Sequence, residues 1–221
     1  MGEHKRKVKT IQYTKRSAKL KATLLVLLIS GAIAFGINYF QTYKKTAFIP
    51  FDPQRTKGSN NAPLQILEFV DFECAQCAIG SKVLQKSMTE HPQAIRLSMR
   101  YFTLGELNST ISAMYAECTK EQGKFWEFTD LLFERQAQWR TLLKIKPALN
   151  QIALDAKVSV DELSSCVDNP ETEKRVKKDK KLGESRFIQS TPSYFINGEL
   201  HVGVGSLRKA LERQFPAKTS P

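Results

Sequence analysis

A chain of 221 residues, 41% of them apolar, can close one domain of moderate size plus an appendage without metal or disulfide staples. The net charge of +12 invites a nucleic-acid reading, but residues 1–21 alone hold Lys5, Arg6, Lys7, Lys9, Lys15, Arg16, Lys19 and Lys21 against Glu3, a net of +7. The +5 left for everything that follows is too modest for a nucleic-acid footprint, and that class is set aside.

No charged residue occurs from Ala22 to Tyr43, and the run is apolar for nearly the length that a helix needs to cross the hydrocarbon layer. Residues 1–21 therefore read as a basic cytoplasmic segment and 22–43 as a transmembrane signal-anchor. Eight basic residues precede the run and only Lys44 and Lys45 follow closely, so the positive-inside rule places the remainder outside the cytoplasm. A cleaved signal peptide is the rival reading, because Ala32-Ile33-Ala34 resembles a small-x-small cleavage site. Either way the working part lies where disulfides persist.

Residues 44–62, with Pro50, Pro53, Gly58 and Asn60-Asn61, read as a tether, and the domain proper is expected over 63–215. Leu64 to Val70 has the composition of a buried strand running into Cys74-Ala75-Gln76-Cys77. From Cys74 onward Ile79, Val83, Leu84 and Met88 recur at helical spacing until His91-Pro92, so the C-x-x-C opens a helix. Ile95 to Phe102 alternates like a second strand. Residues 108–185 are helical almost throughout, with Asn108 or Ser109 as a candidate cap, helices at Leu142–Ala156 and Asp161–Val167, and a charged one starting at Pro170. Ser193 to Val202 folds back at Asn197-Gly198 as a hairpin, and Ser206 can cap a closing helix.

All four cysteines, at 74, 77, 118 and 166, follow the apolar run. The C-x-x-C spacing has two common uses, redox chemistry and metal binding. A cysteine at a helix N-terminus meets the positive end of the helix dipole and unsatisfied N–H groups, which favour thiolate, so Cys74 is the expected nucleophile. Cys77, one turn on, can close on it. A structural zinc site would need two more ligands, yet there is no second C-x-x-C, His4 is cytoplasmic, and His91 and His201 show no ligand-like spacing. No metal and no cofactor is expected. A merely structural Cys74–Cys77 disulfide stays open as an alternative. Cys118 and Cys166, both in the helical block, are expected to form a structural disulfide, the alternative being two buried free thiols.

The run Asn61-Ala62-Pro63, Ile66 and Glu68-Phe69-Val70-Asp71-Phe72-Glu73-Cys74-x-x-Cys77 resembles the opening of the DsbA-like disulfide oxidoreductases. Gln122-Gly123-Lys124-Phe125-Trp126-Glu127 and Thr191-Pro192-Ser193-Tyr194-Phe195-Ile196-Asn197-Gly198 extend the resemblance across most of positions 61–204. It implies an α/β fold, a thioredoxin-like sheet with an inserted helical domain, which agrees with the element order just read. It also implies that Thr191-Pro192 is a cis-proline substrate-docking loop, against the plain alternative of a proline opening an edge strand. Glu68 matches a buried acid that accepts the Cys77 proton as the disulfide breaks, against the alternative of an exposed edge residue. Strong oxidants of the family place Pro and His between the cysteines, whereas Ala75 and Gln76 stand here. Gln76 brings no charge, so a less depressed thiol pKa and a less oxidising pair are expected than the values of about 3.5 and about −120 mV for DsbA.

The expected function is a membrane-anchored, extracytoplasmic thiol-disulfide oxidoreductase at a bacterial-type inner membrane, with its catalytic domain on the periplasmic or extracellular side. Its partners would be folding secreted or envelope proteins with cysteines, and a membrane redox partner, a quinone-linked oxidase or an electron donor. A reductase or isomerase would run the same atoms in the other direction. A non-catalytic polypeptide-binding module of the same fold is a third reading.

Overall fold

The structure, a computed structural model, describes residues 21, 23–39, 49–105 and 107–216. The chain divides into two units, residues 1–44 and 45–221. In the first, residues 23–39 form helix α1. The anchor expected over 22–43 overlaps α1 only from 23 to 39, and positions 22 and 40–43, like the basic segment 1–20, lie outside the described residues. Among the described residues no helix is long and apolar enough to cross a membrane.

The second unit is built on a five-stranded mixed sheet of order β1-β3-β2-β4-β5, from β1 (Thr56–Gly58), β2 (Leu64–Val70), β3 (Ile95–Tyr101), β4 (Ser193–Ile196) and β5 (Glu199–Val202). Only β2 and β3 are parallel; β1 on β3, β4 on β2 and β5 on β4 are antiparallel. Central β2 is covered on both faces, so its residues read as a nearly unbroken apolar run, and five of its seven are buried in succession at the C-terminal end. Ile66 and Leu64 face Leu84 of α2 (Ala75–Glu90) and Leu207. Leu67 and Phe69 face the opposite side, with Phe102, Ile188 and Phe195.

The stretch 44–62, read from the sequence as a tether, holds structure from Ile49 onward. Asp52 caps a 3-10 turn at Pro53–Arg55, and β1 follows as an edge strand. Two local features fix it there. Gly58 sits at φ +93°, where a Cβ would lie 2.1 Å from the Ile95 carbonyl oxygen. Arg55 is buried and bonded to Asp52 and Asp179, and Arg100 reaches Asp179 at 3.0 Å, so charges distant in sequence satisfy one another.

Between β3 and β4 lie α3 (Leu107–Thr119), α4 (Phe125–Glu134), the single turn α5 (Gln136–Trp139), α6 (Lys146–Asp155), α7 (Val160–Val167) and α8 (Pro170–Ser185); α9 (Gly203–Gln214) closes the chain. Their apolar faces form one large cluster around Phe128, Leu132, Trp139 and Leu149, which continues under the turn between β2 and α2 through Phe72 and Cys77. Three details differ from the sequence reading. Neither Asn108 nor Ser109 caps α3: Asn108 bonds the Arg140 and Leu142 carbonyls, and Ser109 turns inward to Asp71. The helix expected from Leu142 starts at Lys146, with Pro147 in its first turn, where a proline loses no helical bond. The last helix starts at Gly203, and Ser206 instead meets His201, 3.1 Å away.

Candidate active site

Strand β2 ends at Val70, and the turn Asp71–Cys74, closed by the Cys74 N–H on the Asp71 carbonyl at 3.1 Å, delivers the chain to α2 with Cys74 as its N-cap. The Cys74 carbonyl accepts from the N–H of Cys77 at 3.0 Å and of Ala78 at 3.3 Å, the first bonds of the helix. Both cysteines are free thiols; Cys74 is half-buried and Cys77 is buried. Ala75 and Gln76 between them are exposed, and neither bears a charge that could reach the sulfur.

The two thiols are driven apart. Hydrogen bonding with the Cys77 thiol and the Thr191 side chain, together with the N–H groups of Cys77 and Gln76, lowers the Cys74 pKa to about 5 against the opposing effect of burial. Burial pushes Cys77 well up, and the neighbouring Cys74 adds to it. One sulfur is therefore a thiolate at neutral pH and the other is held as a thiol.

Thr191 and Pro192 reach the same place from the far end of the chain. The Thr191-Pro192 bond is cis, and the Thr191 carbonyl oxygen lies 3.4 Å from Cys74 Sγ. The Pro192 carbonyl is engaged by the Gly203 N–H at 2.9 Å, which ties this loop to the start of α9.

Glu68 lies on central β2 between Met99 of β3 and Tyr194 of β4, 2% exposed. Alternation along the strand puts it on the face of Ile66 and Val70, beneath α2. Burial raises its pKa to about 8, with Lys57 pulling it down and Asp130 pushing it up. Lys57 itself lies 3.5 Å from Asp130 and 4.0 Å above the Trp126 ring.

Cys118 on α3 and Cys166 on α7 are joined in a disulfide across 48 residues, with Cα atoms 5.8 Å apart. It lies in the helical insertion and belongs to a separate constellation from Cys74 and Cys77. Among the described residues no group of three or more His, Cys, Asp or Glu side chains could hold a metal ion. His91 stacks on Phe215 with ring centroids 4.0 Å apart.

Three residues that sequence reasoning did not single out complete the site. Buried Asp71 accepts the N–H of Glu73 at 2.9 Å and of Leu104 at 2.8 Å. The Ser109 hydroxyl lies within 2.8 Å of both Asp71 oxygens and of Glu73 Oε2. The Gln136 amide nitrogen bonds the Phe72 and Cys74 carbonyls, at 2.7 and 3.0 Å. Asp71 was visible as the polar residue ending an apolar strand just before the motif. Nothing in the local sequence sets Ser109 or Gln136 apart from their neighbours.

A family model described as Thioredoxin matches residues 52–213. The chain is 24% identical over 213 residues to the probable disulfide bond formation protein D of Bacillus anthracis, covering 90% of this chain and 98% of that one. It is 27% identical over 159 residues to the Na(+)/H(+) antiporter NhaA 3 of Salinispora tropica, spanning 70% of this chain but only 24% of the antiporter's length. Among solved structures, oxidised BdbD from Bacillus subtilis superposes with a TM-score of 0.64 at 23% identity, covering 74% of this chain and 94% of that one. Alpha-DsbA1 of Wolbachia pipientis gives 0.66 at 19%, with 77% and 94% covered. At these identities the two structures speak for the fold.

Proposed function

The chain belongs to the thioredoxin family, and from that premise we propose that it is a thiol-disulfide oxidoreductase working through Cys74 and Cys77. The observation that carries this is the division of the two thiols, an accessible sulfur lowered to about 5 at a helix N-terminus and a buried one raised behind it. A purely structural disulfide has no use for such a division. The probable disulfide bond formation protein D, matched over nearly its whole length, points to the same chemistry.

In the oxidising direction a client thiolate attacks Cys74 Sγ of the Cys74–Cys77 disulfide. The Cys74–client bond forms, the Cys74–Cys77 bond breaks, and Cys77 leaves as a thiolate that its buried site quickly protonates. A second client thiolate then attacks the client sulfur of the mixed disulfide and expels Cys74, which leaves easily because its thiolate is stabilised. The client gains a disulfide and the enzyme departs as the dithiol. Glu68, with a pKa near the working range, exchanges the Cys77 proton, and the Thr191-Pro192 loop lines the approach to Cys74. A thiolate lowered this far stabilises the dithiol form and so favours donation of disulfides over their reduction.

The domain works outside the cytoplasm, held by an anchor in segment 22–43 at a bacterial-type cytoplasmic membrane. What supports this is the basic segment before the uncharged run, and the Cys118–Cys166 disulfide, which suits an oxidising compartment. Its partners are cysteine-bearing secreted or envelope proteins and a membrane redox partner that reoxidises the pair. The test is to mix the oxidised wild-type protein with a reduced client bearing several cysteines, and the reduced Cys77→Ser variant with the same client in its disulfide form. The wild type should leave oxidised client, and Cys74 of Cys77→Ser should attack the client disulfide, release one client thiolate and stay bound as a mixed disulfide that lacks a resolving cysteine. Unchanged client thiols in the wild-type reaction would remove the proposal.

A further inference from the structure

Beyond the two cysteines, the site is held from outside the sheet. The turn Asp71–Cys74 belongs to the thioredoxin-like part, yet its carbonyls at Phe72 and Cys74 are both taken by one side-chain amide, that of Gln136. That residue sits in the helical insertion, 62 positions beyond Cys74, and is itself buried. Only the NH2 end of an amide can serve two acceptors, so the donor set fixes which way it points.

Its own platform is rigid. Gln136 opens the single turn α5, whose Trp139 is fully buried and donates its indole N–H to the Leu132 carbonyl at 2.9 Å. On the preceding residue, Arg135 is ion-paired with Asp155 of α6. The amide therefore reaches the turn from a body tied into the core of the insertion.

The Cys74 carbonyl is also where orientation matters most. Cys74 is the N-cap of α2, with an extended backbone (φ −72°, ψ 116°) and no side-chain cap, so the cap position is open to its own sulfur. Rotation of the Cys74 carbonyl changes ψ and swings the Cα–Cβ bond relative to the unpaired N–H groups of the first turn. The bond from Gln136 adds to that carbonyl a donor from outside the helix, beside the N–H groups of Cys77 and Ala78.

We propose that Gln136 is a positioning residue, by which the helical insertion fixes the Cys74 backbone and keeps its sulfur over the free N–H groups of α2. This rests on the redox reading of the same site. Without the bond, the Phe72 carbonyl loses a buried donor and the Cys74 carbonyl keeps only the Cys77 and Ala78 N–H groups of its own helix, so the turn is no longer tied to the insertion and the sulfur loses alignment with the N–H groups that favour its anionic form.

The experiment uses the full chain, reduced at the Cys74–Cys77 pair, with the pH dependence of Cys74 alkylation by iodoacetamide followed by mass spectrometry. Gln136→Met keeps the length without the donors. It should move the alkylation midpoint up by about one pH unit, which at pH 5 slows modification about fivefold. The uncharged Gln136→Leu, which also lacks the donors, should move it in the same direction, and carries the test alone if the Met variant does not fold. Trp139→Phe is the control: it removes the indole bond that supports α5 but touches neither carbonyl, so it should lower the unfolding midpoint and leave the alkylation midpoint in place. If the Gln136 variants behave like Trp139→Phe, changing stability without moving the alkylation midpoint, Gln136 is only a packing residue and the proposal is overturned. A wild-type protein that alkylates at Cys74 near pH 5 but fails to oxidise any client would overturn the redox reading and leave this measurement intact.

Discussion

Cys74 Sγ lies 3.4 Å from the carbonyl oxygen of Thr191, a residue 117 positions later in the chain. As a thiol Cys74 can donate to that carbonyl; as a thiolate it has the Cys77 thiol, the Thr191 side chain and the N–H groups of Cys77 and Gln76. Thr191 thus meets the sulfur in both protonation states, and the loop at Pro192 sits beside it.

The thiolate should be measurable directly. Iodoacetamide should modify Cys74 with a midpoint near pH 5, while Cys77, buried and raised, should resist modification up to pH 9. Equal reactivity of the two thiols at pH 7 would contradict the division of roles.

The reduction potential of the pair should follow from the same thiolate. The reference pairs run from a pKa of about 3.5 at about −120 mV for DsbA to about 7 at about −270 mV for thioredoxin. A Cys74 pKa of about 5 lies between them and predicts roughly −180 mV, measured by equilibration with glutathione buffers. Gln76→His should raise both the thiolate fraction and the potential, because an imidazolium one position before Cys77 adds a charge where the glutamine has none. A value below about −230 mV would make the pair a reductant instead.

Glu68→Gln should stabilise the protein at neutral pH. A carboxyl whose folded-state pKa stands above its unfolded value favours folding fully below about pH 4, and that contribution fades as the pH rises through about 8. At pH 7 the buried carboxyl thus costs roughly 3 kcal/mol, most of which the amide should recover. Denaturant midpoints should converge for the two proteins near pH 4 and diverge toward pH 8. The variant should also lose any inflection near pH 8 in the rate of client oxidation.

Gly80→Ala should destabilise by about 1–3 kcal/mol, because the new Cβ would lie 2.1 Å from the Tyr194 hydroxyl oxygen. That hydroxyl is buried and has no hydrogen-bond partner among the described residues, so Tyr194→Phe alone should be neutral or slightly stabilising. Combined with Gly80→Ala it should restore most of the loss, since the next ring atom is 3.5 Å from the same point. A thermal-unfolding cycle over the four proteins reads this coupling.

Removing the Cys118–Cys166 bridge as Cys118→Ala with Cys166→Ala should lower stability by about 3–4 kcal/mol, the cost of freeing a loop of this length in the unfolded chain. Client oxidation at low temperature should survive, because neither sulfur belongs to the Cys74 site. Loss of both stability and redox cycling in equal proportion would tie the two cysteine pairs together.

Much of this arrangement is local, and what is local is legible in the sequence. The spacing of Cys74 and Cys77 and the apolar repeat at Val83, Leu84 and Met88 define a helix with a cysteine at its N-terminus, and a helix terminus brings its free N–H groups wherever it is placed. The unbroken apolar composition of Leu64–Val70 marks a strand covered on both faces, because such a run must be buried on either side. The short edge strand at Thr56–Gly58 was hidden because only three residues form it and its anchor is Arg55 against Asp179, 124 positions away.

What the sequence could not decide is whatever depends on two distant segments meeting. Composition alone left Glu68 equally suited to an exposed edge; its place between β3 and β4 put it in the core and raised its pKa, since desolvation is set by neighbours on adjacent strands. Ser109 and Gln136 look like ordinary helix residues until the insertion packs on the active-site turn, where their polar groups find the Asp71 carboxylate and the Phe72 and Cys74 carbonyls. The sequence by itself determined the C-x-x-C pair and the helix that carries it at its N-terminus, through short-range bonding. Only the tertiary structure decided what surrounds that pair, because burial and the partners of buried polar groups belong to the assembled fold.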